Sequence, residues 1–371
     1  MRKENPEDKK VADRSLRVML LFSSAYFFTK YGHFSELLLS LRKNMDIYIV
    51  SVSGIEINQS NMRNIKIGLG RLTEYRIICY ILMPVIALKI SLYCIRNRID
   101  VIIGFNGGYP QLVAHLASII CRRPFVVYVR VDHRVTNLIS NRYAAFFWNS
   151  IVNLSLRYAT HIISLSQFLN EKVISYGVSR NRTSIIPFGV DTNVFKPYPL
   201  NEKYPNSILF IGRWSKEKGT GLLLDIASRL KEFNFILIGA NQTKLGVNEP
   251  NLHPMGFVAH DEIPKYMTLG KVVISTSLTE GQPMSCLEAL ACGKPVVANR
   301  AGALPDFIKP EVGWIFEKNS VDSAVQILEK VVKDDKLLSI KGKNAREYAL
   351  GFSWEAHQEK VVALLDSLVN N

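Results

Sequence analysis

The chain has 371 residues, more than one compact core usually serves, and 48% of them are hydrophobic, enough for two cores. The formal net charge of +14 is one-sided: residues 1–200 hold 26 Lys and Arg against 12 Asp and Glu, while residues 201–371 hold 20 of each. A basic first half asks for an acidic partner such as a membrane surface, a phosphorylated lipid or a nucleic acid; the five cysteines, with no C-x-x-C pair, exclude a zinc ribbon or disulfide framework and fit a reducing, cytoplasmic setting.

Residues 1–14 read as a charged, disordered arm without the apolar run of a signal peptide, so the N-x-S/T strings at Asn58, Asn153, Asn181 and Asn241 read as chance. LRVMLLF (16–22) is the first expected strand. The loop through Gly32 leads into an amphipathic helix, SELLLSLRKN, and DIYIVSV (46–52) is the second strand. Such strand–helix units imply a doubly wound parallel sheet. Ile77–Ile95 is apolar enough to be weighed as a membrane span, with Lys89 its one charge. A spanning helix would put LRVMLLF and IDVIIG (99–104) on opposite sides of a bilayer, so a buried or membrane-touching helix is expected instead. IDVIIG ends in Phe105-Asn106-Gly107-Gly108, which is either a place where a ligand approaches the backbone or an ordinary turn. PFVVYV (124–129) delivers Arg130, Asp132 and His133 to the strand-end region where ligands bind in open α/β sheets. Residues 142–159, with Tyr143–Trp148 near Arg142 and Arg157, read equally as a membrane-interface helix or a core helix. Lys196-Pro197-Tyr198-Pro199 has the composition of a linker.

After it, SILFIG is a strand followed by Arg213, then by Lys218-Gly219 ahead of a helix with an apolar face. On the residues alone these cations read first as surface charge on a βα loop; the other reading is a diphosphate site, since Arg offers a planar fork, Lys a compact charge, and the backbone of a helix start also favours anions. FNFILIGA is a further strand and glycine turn. VVIS (272–275) reads as a buried parallel strand, and Glu280 stands in the loop just past its end. Pro283 suits the first position of the next helix, Glu288 falls in its second turn, Gly293 suits its left-handed cap, and Pro295 bars its continuation. Free N–H groups near Met284 and Ser285 favour a phosphate.

Glu280 and Glu288, with EG-x-P between them and EALACGKPVVA running on, resemble the E-x7-E signature of the retaining family 4 glycosyltransferases. The string from Gly212 to Gly219 is similar to that family's G-R-x-x-x-x-K-G, and Gly256-Phe257-Val258 to its loop against the nucleotide base. GVDTNVFKP is similar to the string that closes the family's N-terminal domain. The resemblance implies the GT-B fold, an α/β architecture of two Rossmann-like doubly wound parallel-sheet domains facing a cleft. The acceptor-side domain would cover 15–196 plus a C-terminal crossover helix at 353–371, and the nucleotide-sugar-binding domain 197–352. It also implies donor-binding roles for Gly212, Arg213, Lys218, Phe257, Val258, Glu280, Gly281, Gln282, Pro283, Met284, Ser285 and Glu288, with Arg213, Lys218 and Glu280 catalytic. Phe257 either contacts the base or packs in the core. The acceptor side would be lined by Gly32, Asn106, Gly107, Arg130, Asp132 and His133, with Arg130 standing where many members carry a His. Gln282 sits where an aromatic is common, and Ala303 and Asp306 depart from the family's G-G-x-P-E.

The implied reaction moves a sugar from a nucleoside-diphosphate donor to a glycan or lipid-linked acceptor. Charge growing on the β-phosphate oxygen would be stabilised by Arg213, Lys218 and helix N–H groups. No metal or other cofactor is then needed, in keeping with the lack of a D-x-D string. Glu288 would hold the ribose hydroxyls and Glu280 a donor-sugar hydroxyl, so neither is a nucleophile and the carboxylate logic of glycosidases does not apply. The alternative from another class is a nucleotide-sugar-binding protein that has lost transfer. A nicotinamide dehydrogenase lacks its G-x-G-x-x-G here, and no nucleic-acid motif occurs. The expected place is cytoplasmic, peripheral on the cytoplasmic face of a membrane and held at an anionic surface.

Overall fold

The structure, a computed structural model, describes residues 15–22, 32–51, 62–66, 81–105, 109–132, 142–201, 203–241, 245–246 and 249–370. The arm at 1–14 and the acceptor-side residues Asn106, Gly107 and His133 lie outside them. The chain divides into two compact units. One holds residues 1–165, 169–186 and 358–371, and the other holds Ser166–Phe168 with Pro187–His357.

In the first unit the elements run β1 Leu16–Phe22, α1 Gly32–Leu41, β2 Met45–Ser51, β3 Met62–Lys66, α2 Met83–Arg96, β4 Val101–Phe105 and α3 Tyr109–Cys121. They continue with β5 Phe125–Val129, α4 Arg142–Tyr158, β6 His161–Ser164, α5 Gln167–Ser175 and β7 Thr183–Ile185. The strands form one parallel sheet in the order β3-β2-β1-β4-β5-β6-β7. Strands β4, β5 and β6 are buried along their whole length, which is why VIIGF and FVVYV read as unbroken apolar runs rather than alternating ones.

The second unit carries β8 Ser207–Ile211, α6 Thr220–Arg229, β9 Asn234–Ile238, β10 Leu252–Gly256, α7 Ile263–Met267, β11 Val272–Ser275 and α8 Met284–Ala291. Then come β12 Val296–Asn299, α9 Leu304–Phe307, β13 Gly313–Phe316, α10 Val321–Val331, α11 Asp335–Leu350 and α12 Trp354–Val369, whose last residues count with the first unit. Its sheet is parallel, in the order β10-β9-β8-β11-β12-β13. Side chains alternate across a strand. Leu209 and Ile211 therefore pack with α8 and α11, while Ile208 and Phe210 pack with α6 and α10. In each sheet the strand order reverses once, between β1 and β4 and between β8 and β11. Loops leaving such a point diverge and open a crevice at the strand ends.

The border between the units lies at 186/187, not at the Pro-rich 196–199 stretch. Val190 and Phe195 are buried in the second unit's core, and Val190 N–H donates to Phe352 O at 2.8 Å. GVDTNVF is thus core-bearing chain of the second unit, and the composition of 196–199 marks a surface turn. The apolar run expected to be buried or to touch a membrane is α2, with Ile86, Ala87, Ile90, Ser91 and Cys94 buried and residues 77–80 outside the described set. Its 14 residues span about 21 Å at the helical rise, short of a bilayer core of about 30 Å. Among the described residues no helix is long and apolar enough to cross a membrane.

Candidate active site

Leaving β8, the chain passes Gly212 and Arg213, makes a tight turn over Lys216–Lys218, and enters α6 at Gly219. Gly219 has φ of 66°, and a Cβ built on it would overlap the carbonyl oxygen of Thr276. This is a close backbone approach that only glycine allows. The loop after β11 is laid against it by two hydrogen bonds: Thr276 Oγ1 donates to Lys218 O at 2.9 Å, and Leu278 N–H donates to Glu217 O at 2.9 Å. These contacts set Lys218 Nζ 2.5 Å from Glu280 Oε1, and Ser277 Oγ donates to the same oxygen at 2.7 Å. A third loop backs Glu280. Ala303 N–H donates to Glu280 O at 2.9 Å, and Gly302, at φ of 53°, lies so close that a Cβ there would overlap the Glu280 backbone.

The pair therefore sits at the β8–β11 reversal point. Glu280 uses one of the three N–H donors of the Lys218 ammonium. Arg213 stands on the rim with its side chain 63% exposed, and its only described partner is Glu217 at 3.6 Å. An exposed pair of this kind contributes about 1 kcal/mol or less, so the guanidinium is readily given up to an anion.

Glu288 lies buried in the second turn of α8, and His260 Nε2 approaches its Oε1 to 2.7 Å. The His260 ring packs on Phe195, 5.1 Å between centroids. His260 is not legible as a site residue: a histidine on a single 3-10 turn carries no periodic signal, and its partner is 28 residues away. Phe257 is 83% exposed, which removes the core-packing alternative, whereas Val258 is buried.

Three details of the helix start differ from expectation. Pro283 occupies the cap position just ahead of α8, and Met284 N–H donates to Gln282 O at 3.0 Å, so it is not among the N–H groups open to a phosphate. Gln282 was expected on the donor, but its amide is committed to backbone: Nε2 donates to Phe188 O at 2.9 Å and Oε1 accepts from Phe188 N–H at 2.8 Å. A planar amide satisfies both main-chain groups of one residue, so Gln282 fixes the incoming chain at Phe188. Ser285 and Gly281 are partly exposed at the same end of α8. Gly293, with φ of 70°, closes the helix as expected. Cys286, buried within α8, has its thiol pushed up to about 12 by burial, so it stays neutral and is no nucleophile.

On the first sheet, Arg130 follows β5 with its guanidinium 5.3 Å from the Phe105 ring centre, and burial lowers it to about 10. Asp132 Oδ1 accepts from the Tyr176 hydroxyl at 2.7 Å, and Gly32 opens α1. Among the described residues no group of three or more His, Cys, Asp or Glu side chains is placed to hold a metal ion.

Residues 191–348 match the family model described as "Glycosyl transferases group 1", and residues 63–194 match "Glycosyltransferase Family 4". An uncharacterized glycosyltransferase of Methanocaldococcus jannaschii is 25% identical over 86% of this chain and 89% of its own length. The capsular polysaccharide biosynthesis glycosyltransferase CapM of Staphylococcus aureus is 25% identical over 82% of this chain and 85% of its own. Among solved structures, Anabaena HepE in complex with UDP-glucose aligns with a TM-score of 0.73 at 22% identity, covering 94% of this chain and 99% of that one. The structural likeness concerns the fold.

Proposed function

We propose that the chain, matched by glycosyltransferase family models over residues 63–194 and 191–348, is a retaining family 4 enzyme moving a sugar from a nucleoside-diphosphate donor to a glycan or lipid-linked acceptor. The observation that carries the reading is the Lys218–Glu280 pair at the β8–β11 reversal, with Arg213 on its rim and Glu288 buried nearby. A donor carries both an anion and neutral hydroxyls. The ammonium and guanidinium serve the diphosphate, Glu280 a sugar hydroxyl, Glu288 the ribose, and exposed Phe257 a flat face for the base.

As the glycosidic bond breaks, its electron pair goes to the departing β-phosphate oxygen. Cations fixed beside that oxygen gain more in the transition state than in the ground state, so they raise the rate and do not merely tighten binding. Retention is what the family resemblance implies, and it agrees with Glu280 and Glu288 each being engaged by neighbouring side chains. Glu280 is held by Lys218 and Ser277, and Glu288 by His260. The similarity to CapM, named for capsular polysaccharide biosynthesis, supports a glycan-assembly acceptor, and the complex of HepE with UDP-glucose supports a nucleotide-sugar donor. The basic first half supports a peripheral place on the cytoplasmic face of a membrane.

The test is release of nucleoside diphosphate from UDP-, GDP- and ADP-sugars with a glycan or lipid extract as acceptor, with and without EDTA, followed by the anomeric configuration of the product. We expect turnover that survives EDTA and a product with the donor's configuration. Complete loss in EDTA, restored by magnesium or manganese, would contradict a site run by Arg213 and Lys218 alone. An inverted product would contradict retention. Donor binding without release to any acceptor would favour a binding protein that has lost transfer.

A further inference from the structure

The first unit carries an apolar face that its own packing does not use. Helix α2 has two apolar stripes. One, through Ile86, Ala87, Ile90 and Cys94, is buried. The other runs Val85, Leu88, Leu92 and Ile95, at spacings of three, four and three, and is 48–59% exposed, with Ile81 just ahead of the helix 71% exposed. An amphipathic helix of a soluble domain normally sets charge opposite its buried stripe; here Lys89 is the one cation amid the aliphatic residues.

Helix α3 continues the face. Both α2 and α3 run back from strand ends to the starts of neighbouring parallel strands β4 and β5, so they lie parallel. Ser91 Oγ, 3.2 Å from Ala117 O, fixes their relative height. Leu92 and Ile95 therefore stand level with Ile119 and Ile120, which are 61% and 47% exposed. On the other flank of α3, Gln111 Nε2 lies 3.4 Å from Ser155 Oγ of α4, whose Leu154 and Tyr158 are also exposed. At the end where α2 and α3 terminate, the chain places Arg96, Arg98 and Arg122, all exposed. Neither helix contains an Asp or a Glu.

We propose that this face, Leu88–Leu92–Ile95 of α2 with Ile119–Ile120 of α3 and the arginines at their ends, is the surface by which the protein lies on an anionic bilayer. Aliphatic side chains dip below the headgroups, and the arginines pair with lipid phosphates at the rim. Charge decides the occupant. A second copy would bring the same cationic, carboxylate-free helices and no countercharge, whereas an anionic leaflet supplies it along the whole rim. The inference rests on the membrane-side acceptor proposed above and names the surface that would meet it.

The test is co-sedimentation of the full chain with phosphatidylcholine vesicles and with phosphatidylcholine–phosphatidylglycerol vesicles, at low and high salt. Two double variants are compared, Arg96→Glu with Arg122→Glu, and Leu92→Gln with Ile119→Gln; all four positions are exposed, so folding is expected to be intact. Wild type should prefer anionic vesicles, and the arginine variant should lose about tenfold or more in partitioning at low salt. The aliphatic variant should lose the salt-resistant remainder. Wild-type binding by both variants would overturn the proposal. So would unchanged vesicle binding together with a shift from dimer to monomer in sedimentation velocity, which would assign the face to a second copy. Nucleoside diphosphate release to a detergent-dispersed acceptor is followed in parallel and should be unchanged in both variants. If wild type itself releases none while binding vesicles, the enzymatic reading fails and the surface stands.

Discussion

Lys218→Ala is expected to lower turnover by about 10²–10³-fold with the fold retained, the loss usual for one donor removed from a developing oxyanion. The ammonium sits at 2.5 Å from Glu280 and is three-quarters buried, so its charge acts in a setting with less water than the Arg213 rim. Arg213→Ala should cost less, because that guanidinium starts in solvent. Removal of Lys218 also leaves Glu280 with only Ser277 as its described side-chain partner, and a loosened Glu280 loop adds to the loss. Initial rates at saturating donor separate the effect on the chemical step from one on affinity, and far-ultraviolet circular dichroism checks the fold. Turnover within a few-fold of wild type would remove Lys218 from the diphosphate site.

Gly219→Ala is expected to damage stability and activity together, although glycine 219 makes no side-chain contact. Its φ of 66° is unfavourable for alanine, and the added Cβ meets the Thr276 carbonyl, a backbone atom that cannot rotate away. The two loops must separate, breaking the bonds from Thr276 to Lys218 and from Leu278 to Glu217. A cost of about 2–3 kcal/mol is expected. Calorimetry should show the lower melting temperature, and turnover should fall with it because Lys218 and Glu280 no longer meet. Wild-type values for both would show that the loops do not depend on this approach.

The interior of each sheet was legible in the sequence because fully buried parallel strands write unbroken apolar runs. LRVMLLF and VVIS name β1 and β11 to the residue. The edges were not. The β3 strand is MRNIK, interrupted by polar residues, and β10 carries Pro254, which reads as a break but is tolerated at the rim of a sheet where no partner needs its N–H. The border between the units is not legible for a related reason: Pro197 and Pro199 signal a linker by composition, while Val190 and Phe195 ahead of them are buried in the second unit's core.

At the candidate site, the residue types came from a motif, and their meeting came from the fold. Glu280 and Lys218 are 62 positions apart, and only the reversal of strand order between β8 and β11 brings their loops together. Polar side chains that satisfy backbone or orient another side chain leave no periodic trace. That is why Gln282 read as a ligand group and instead holds Phe188, and why His260 beside Glu288 went unread.

The central claim, a nucleotide-sugar site built by the β8 and β11 loops, is tested most directly by melting wild type and Lys218→Ala in the presence of UDP-, GDP- and ADP-sugars. A donor present at 100 times its dissociation constant stabilises the folded protein by about 2.7 kcal/mol, enough to raise the melting temperature by about 3–4 °C. The account predicts such a rise for at least one nucleotide sugar in wild type and a clearly smaller one in Lys218→Ala. No rise with any of them, or an equal rise in both proteins, would contradict it.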